Sequence, residues 1–267
     1  MRVEVLLATH NGERYIGQFL DSLKNQDGVE IDLVVSDDSS ADKTLEIVES
    51  YTRYFRSAKV LRGPNLGAKN NFANLIKFSN SSFSAFADQD DIWLPNHLKD
   101  SIDVLERHAR IPALVFSKVI EFSEFGKNRV WPQISSAPEL SILLTENLAR
   151  GCTLVLNREL VNLLKKSNFE NVYMHDWWAV LVAKTCGIIE FINQPTIMYR
   201  IHDSNVIGLR KPHRTRLRLF WTRYFLNQEW VPGDQAKLLS AQFANNMTIQ
   251  NRILVQTFAN LYLITLK

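Results

Sequence analysis

Residues 3–25 read VEVLLATHNGERYIGQFLDSLKN: a short apolar run, a polar turn at residues 10–13, then a stretch of amphipathic character from Tyr15 to Asn25. An apolar run of that length, closed by turn residues, predicts a buried strand, and the segment after it a helix. The form recurs three times. IDLVVSDD (31–38) gives way to Lys43–Tyr54, AKVLRG (58–63) to Ala68–Phe78, and SFSAFAD (82–88) to Pro95–Arg107. Such alternation predicts βαβ units, and so an α/β fold whose mixed, mainly parallel sheet is flanked by helices.

The second half is less regular. An apolar run at Ala113–Phe122 is followed by a loop at Trp131–Pro138, a short strand candidate CTLVLN (152–157), a helical segment HDWWAVLVAKTCG (175–187) and the stretch IIEFINQPTIMYRIHDSN (188–205). No internal repeat is visible. With 267 residues, 46% hydrophobic and 22% charged, the chain has the composition of a folded globular protein with one substantial core.

Cys152 and Cys186 stand far apart without a CxxC or Cys/His spacing, which suggests neither a zinc knuckle nor a disulfide. The first apolar run contains Glu4 and is too short for a signal peptide, and no run reaches spanning length. A cytoplasmic location is expected. Charge is divided unevenly: residues 209–267 hold nine Lys/Arg against Glu229 and Asp234, or +7, which leaves −4 for residues 1–208. Two units are therefore expected, an α/β domain at 1–208 and a basic amphipathic helical extension at 209–267. In the extension, a helix starting near Pro212 would put Leu217, Phe220, Trp221, Tyr224 and Phe225 on one side and Arg214, Arg218 and Arg223 around it. A helix of that kind either touches an anionic membrane surface peripherally or packs back on its own domain. Aromatic residues at helical spacing argue against a nucleic-acid binder.

In open parallel sheets ligands gather at the carboxyl ends of the strands. Three polar clusters fall there: THNGE (9–13), DDSSAD (37–42) and DQDD (88–91). Three aspartates in four positions, Asp88, Asp90 and Asp91, are tolerated when water or a cation lies against them. A cation that also binds phosphate needs only one or two protein carboxylates, which Asp88 and Asp90 can supply; the plainer reading has one Asp capping the helix after Pro95. Asp37 can accept a hydrogen bond from a ligand ring N–H, whereas Asp42 or Ser40 suits a helix cap. Asn65, Gly67 and Lys69 in PNLGAKNNF can bring backbone and a cation to a phosphate. Asp176 stands beside Trp177 and Trp178, an apolar wall that raises a carboxyl group toward the range of a general base and offers rings for stacking on sugars. N-capping is the alternative for Asp176.

Taken in order, ATHNGERYI, VVSDDSSADKT, NLGAKNNF, FADQDDIWLP, HDWW and YRIHDSNVIG resemble the inverting family 2 glycosyltransferases of the GT-A, Rossmann-like fold, and within them the bacterial rhamnosyltransferase-like branch. The resemblance covers residues 2–208. It implies that Thr9, Asn11 and Glu13 lie around the base and ribose of a nucleoside-diphosphate sugar, that Asp37 reads a pyrimidine N3–H with Asp38 nearby, and that Asn65, Gly67 and Lys69 edge the pocket. Asp88-Gln89-Asp90 matches the family's DxD motif, with Asp90 the direct ligand of Mn2+ or Mg2+, Asp88 on ribose or cation-bound water, and Asp91 on the donor sugar or the turn. Asp176 matches the catalytic base, Trp177 and Trp178 the acceptor side, and His202 a loop that closes over the diphosphate. One departure is His175, where much of the family carries Glu or Asp. The implied donor is dTDP-L-rhamnose, with a UDP-hexose or UDP-N-acetylhexosamine as the alternative, and the acceptor a saccharide or lipid-linked oligosaccharide of a surface polysaccharide. A degenerate sugar-nucleotide-binding module is the competing class, but charge stands at Asp90 and Asp176. A dinucleotide oxidoreductase is excluded because ATHNGERY lacks GxGxxG.

Overall fold

Val3, Val5, Leu6 and Leu7 are all fully buried, which places β1 (Arg2–Thr9) at the centre of a sheet covered on both faces. The computed structural model describes residues 1–123, 126, 128–202 and 232–264. Parallel to β1 run β2 (Glu30–Asp37), β3 (Ser57–Arg62) and β4 (Phe83–Asp88), in the order β3-β2-β1-β4. The sheet then turns mixed through β8 (Val155–Asn157), β6 (Ala113–Phe122), β9 (Ile188–Arg200) and β5 (Ile92–Trp93), with β7 (Arg129–Trp131) pairing with β6. β9 runs parallel to β6, while β8 is antiparallel to both β4 and β6.

Helices α1 (Ile16–Lys24), α2 (Thr44–Tyr51), α3 (Ala68–Phe78) and α4 (His97–Leu105) stand where the amphipathic stretches predicted them. In α1 the buried set Ile16, Phe19, Leu20 and Leu23 has the spacing of a single helical face. Side chains alternate across β1, so Leu6 joins the apolar layer under α3 while Val5 and Leu7 join the layer under α1 and α4. The short helices α5 (Leu140–Leu143) and α6 (Arg158–Leu164) border α7 (His175–Cys186).

The strand expected over CTLVLN is shorter than its apolar run. Residues 151–153 form a 3₁₀ turn in which the Thr153 hydroxyl donates to the Arg150 carbonyl at 2.8 Å, and pairing begins only at Val155. In β9, Pro195 lies beside a register shift against Lys118, the irregularity that lets proline enter a strand.

Two helices complete the described chain, α8 (Pro232–Phe243) and α9 (Ile249–Ile264). Ala236, Leu239 and Phe243 of α8 and Val255 and Ala259 of α9 enter the same apolar cluster as Trp178. The basic helix expected near Pro212 lies outside the described residues. Among the described residues no helix is long and apolar enough to cross a membrane.

Because Leu239 is fully buried, Leu239→Ala is expected to lower stability by about 2–5 kcal/mol in a denaturant titration. A change within about 0.5 kcal/mol, the range of ordinary surface substitutions, would show that α8 is not part of the core.

Candidate active site

The register of the parallel strands aligns their polar ends. Thr9 pairs with Asp37 across β1 and β2, and Ala8 pairs with Asp88 across β1 and β4. Backbone groups beyond the last ladder bonds need partners, and side chains from the three clusters supply them. The Gln89 amide exchanges two bonds with His10, accepting from its N–H at 3.0 Å and donating to its carbonyl at 2.9 Å. Gly12 lies under this clamp, where an added Cβ would stand 2.2 Å from Gln89 Oε1. Asn11, at φ 46°, accepts from the Ala41 N–H, and the Glu13 carboxylate accepts from the Lys43 N–H at 3.0 Å.

Asp37 accepts from the Thr9 hydroxyl at 2.7 Å and from the Ser40 hydroxyl and N–H at 2.6 and 2.8 Å. Asp38 grips the next loop, accepting from the N–H groups of Asn65 at 2.6 Å and Gly67 at 2.8 Å. Asn65 and Gly67 both have positive φ, 55° and 82°, so that loop presents its backbone inward to Asp38.

A cleft of about 650 Å³ opens at this edge, and Thr9, Asn11, Asp38, Asn65, Gly67, Asp88, Asp90, Asp176 and His202 all line it. Of the residues singled out from sequence, Glu13, Asp37, Lys69, Asp91, Trp177 and Trp178 do not. The Lys69 ammonium instead donates to the Glu170 carbonyl at 3.0 Å.

Asp90 Oδ2 lies 2.7 Å from His202 Nε2, and the His202 ring packs 5.0 Å from that of Tyr15. Arg200 secures the same turn: its Nε donates to the Asp90 carbonyl at 2.9 Å, its backbone N–H to Asp91 Oδ1 at 3.0 Å, and its guanidinium lies between Tyr15 and Phe122. Asp91 is buried in this turn as its support. Burial, with Asp90 and Asp88 beside it, pushes its carboxyl well above the usual range. Burial also pushes Asp88 up to about 8, helped by Asp90 and Asp176 and opposed by Arg150.

These carboxylates fit a hard divalent cation. Asp88 and Asp90 turn oxygen donors to the cleft, the donor type that suits Mg2+ or Mn2+. Asp88, Asp91 and Cys152 also place donor atoms within 4.8 Å of one another. The Cys152 thiol, however, is wholly buried, and that burial raises its pKa, so the cleft side of the cluster is made of oxygen.

Asp176, the second residue of α7, faces this cluster across the cleft. Its Oδ1 accepts from the Trp177 N–H at 2.7 Å and its Oδ2 from the Asn147 amide at 3.0 Å. Burial pushes it up to about 6, against those bonds and the field of Arg150. The raised value was expected from an apolar wall, but the wall is not the tryptophan pair. Trp178 is fully buried with Nε1 donating to Ser167 at 2.9 Å, and Trp177 is buried with Nε1 donating to the Leu143 carbonyl at 2.7 Å. Both rings are core. Beside Asp176 the wall consists of His175, stacked 3.8 Å from Phe72 and held neutral by burial with a pKa near 3, and of Gly151, where a Cβ would come within 3.3 Å of Asp176.

Sequence reasoning missed Arg150. Its guanidinium bonds Glu121 at 2.6 Å, lies 4.6 Å from the Trp131 ring and 4.4 Å from that of Tyr199, and reaches the cleft wall. The available signal was an arginine set directly before Gly151 in a segment otherwise bound for the core.

Comparison with known proteins follows the same lines. A family model described as glycosyl transferase family 2 matches residues 4–162. The chain is 30% identical over 274 residues to the dTDP-rhamnosyl transferase RfbG of Shigella flexneri, covering 94% of this chain and 92% of that one. Among solved structures, residues 1–349 of Staphylococcus aureus TarS align over 92% of this chain and 71% of that chain, at 24% identity and a TM-score of 0.61. A mannosyltransferase from Pyrobaculum calidifontis, in complex with GDP-Man and Mn2+, aligns over 98% of this chain and 80% of its own at 16% identity and a TM-score of 0.56. These two likenesses show the GT-A fold.

The raised carboxyl groups fix the sign of a pH effect. The folded chain keeps protons on Asp88, Asp91 and Asp176 at pH values where the unfolded chain, with an Asp pKa of 3.8, has released them. The stability they contribute therefore falls as pH rises through the interval from the unfolded value to the Asp88 value of about 8. His97 and His175, held neutral by burial with pKa values of about 3, act with the opposite sign up to the unfolded value of 6.5, so in EDTA the melting temperature is expected to drop between about pH 6.5 and about pH 8; a flat or rising profile there would mean that these carboxyl groups ionise freely.

Proposed function

The chain belongs to glycosyl transferase family 2, and we propose that it moves L-rhamnose from dTDP-L-rhamnose to a hydroxyl of a saccharide or lipid-linked oligosaccharide, in one displacement with inversion. The observation that carries this reading is the pairing of Asp88 and Asp90 with Asp176 in a single cleft, the last with a pKa of about 6. The rhamnosyl donor is supported by the likeness to RfbG, which extends over nearly the whole of both chains.

Asp176 takes the proton of the acceptor hydroxyl as that oxygen attacks the anomeric carbon. Asn147 and the Trp177 N–H hold its two oxygens, which fixes the direction from which the proton is accepted. Asp90 and Asp88 would hold a divalent cation, Mg2+ or Mn2+, which when bound would supply Lewis-acid neutralisation of charge on the diphosphate leaving group. His202, bonded to Asp90, and Arg200 behind it hold the turn that carries these carboxylates. The turn at Thr9 and Asn11 and the loop that Asp38 anchors at Asn65 and Gly67 form the wall for base and ribose. Asp37 and Glu13 act behind that wall by fixing its backbone.

Asp176→Asn is expected to lower kcat by about 10²–10⁴-fold, the usual contribution of a general base, while dTDP affinity stays unchanged. In the unmodified enzyme the rate should fall on the acid side of about pH 6, where Asp176 takes up its proton. An equal loss of nucleotide affinity in the variant would make Asp176 a structural cap.

Titration calorimetry with dTDP and with UDP, each with Mn2+ or Mg2+ and again after chelation, tests donor and cation together. Cation-dependent binding of dTDP, lost in Asp90→Ala, is the expected result. A preference for UDP would move the donor to a UDP-hexose or UDP-N-acetylhexosamine, and no binding of either would overturn the reading.

A further inference from the structure

Both ends of the helix that carries Asp176 are held from outside by side-chain amides of the C-terminal helices. At its amino end, the loop 168–173 leads directly into α7. Gln242 accepts from the Asn168 N–H at 2.9 Å and donates to the Asn168 carbonyl at 3.2 Å. Gln235 accepts from the Tyr173 N–H at 3.3 Å and donates to the Asn171 carbonyl at 3.1 Å. At the carboxyl end, the Asn251 amide donates to the carbonyls of Lys184 and Thr185 at 3.3 and 3.1 Å. We propose that α8 and α9 form a strut that sets the position of the catalytic base, with Gln235 and Gln242 as its positioning residues; this rests on the assignment of Asp176 as that base.

The arrangement exceeds what packing requires. Ala236, Leu239 and Phe243 already seat α8 on the core, and Phe243 lies 6.1 Å from the Trp178 ring. The two glutamines stand seven residues apart, two helical turns, and so project from one face. Each uses donor and acceptor together on the loop backbone, and Gln235 is 6% exposed. At Gln235 a buried amide satisfied at both ends fixes its partner's geometry, because moving the loop would leave buried polar groups unpaired, and half-buried Gln242 adds a second two-bond clasp at Asn168. Met174, the residue before α7, makes no side-chain cap, so the incoming loop joins Asn147 and the Leu143 carbonyl in setting the position of the first turn. Lys69 of α3 holds the same loop at the Glu170 carbonyl from the opposite side. The loop is thus held by α3 and by the C-terminal helices, and its last residue stands three positions ahead of Asp176.

The test uses the full chain carrying Gln235→Met and Gln242→Met together, which keeps side-chain length and removes all four bonds. Lys237→Met on the same helix, whose ammonium pairs with Asp234, is the control. The double variant is expected to lose about tenfold to a hundredfold in kcat, as a misplacement near 1 Å would cause, with dTDP affinity unchanged. Deuterium uptake over 168–174 should rise, and the control should behave as the parent. An unchanged kcat with raised uptake would overturn the proposal, as would unchanged uptake or a loss of dTDP affinity in step with kcat. If the parent transfers no sugar from dTDP- or UDP-linked donors, the proposed function has failed, and uptake alone decides the strut: a rise over 168–174 supports it and no rise removes it.

Discussion

Asp88, Asp90, Asp91 and Asp176 are gathered at the carboxyl edge of the sheet, and the cost of holding four carboxyl groups there with little water governs the rest of the site. Each is answered by different chemistry. Asp91 takes the Arg200 N–H, Asp90 takes His202, Asp176 takes Asn147 and a backbone N–H, and Asp88 is opposed by the field of Arg150. These answers are partial, since Asp88 still holds its proton up to about pH 8. A cluster that gives up its protons reluctantly does so readily when a cation takes their place. Repulsion among these carboxyl groups would therefore favour the divalent ion proposed between them.

Arg150 shows why a fixed cation does not suffice. Glu121 neutralises it and two aromatic rings cover it, so the guanidinium cannot advance to follow charge in the cleft. It tempers Asp88 and Asp176 without quenching either. A closer lysine or arginine would hold Asp176 ionised but lower its proton affinity, which is what a base near neutral pH needs to keep.

The first half of the fold was legible because buried parallel strands are short apolar runs and their helices repeat a single face; α3 spans Ala68–Phe78 as read. The polar clusters were legible as a ligand edge for the same reason. What sequence could not divide was ligand contact from scaffold. Asp37, Glu13 and Lys69 carry the right chemistry, but their bonds go to Ser40, Lys43 and Glu170, partners supplied by neighbouring loops. Gln89 was passed over as the spacer of a DxD, although its amide clamps the first turn. Arg150 depends on Glu121, Trp131 and Tyr199, which only the strand order β7-β6-β9 brings together. Trp177 and Trp178 are buried for another reason: α7 packs apolar side chains all around it, so its rings enter the core.

That last property connects the ends of the chain to its chemistry. From His175 to Ala183 every residue of α7 is buried, and a helix without a polar face cannot lie at the edge of a domain. β6 and β9 cover it on the sheet side, α5 and α6 flank it, and α8 closes the remaining side through Leu239 and Phe243. The depth so imposed is what desolvates Asp176, and desolvation is the largest cause of its raised pKa. A shallower α7 would carry the same aspartate with more water around it and a weaker affinity for protons. The proton affinity of the proposed base is therefore set by how completely the helix beneath it is covered, and residues more than fifty positions downstream supply part of that cover.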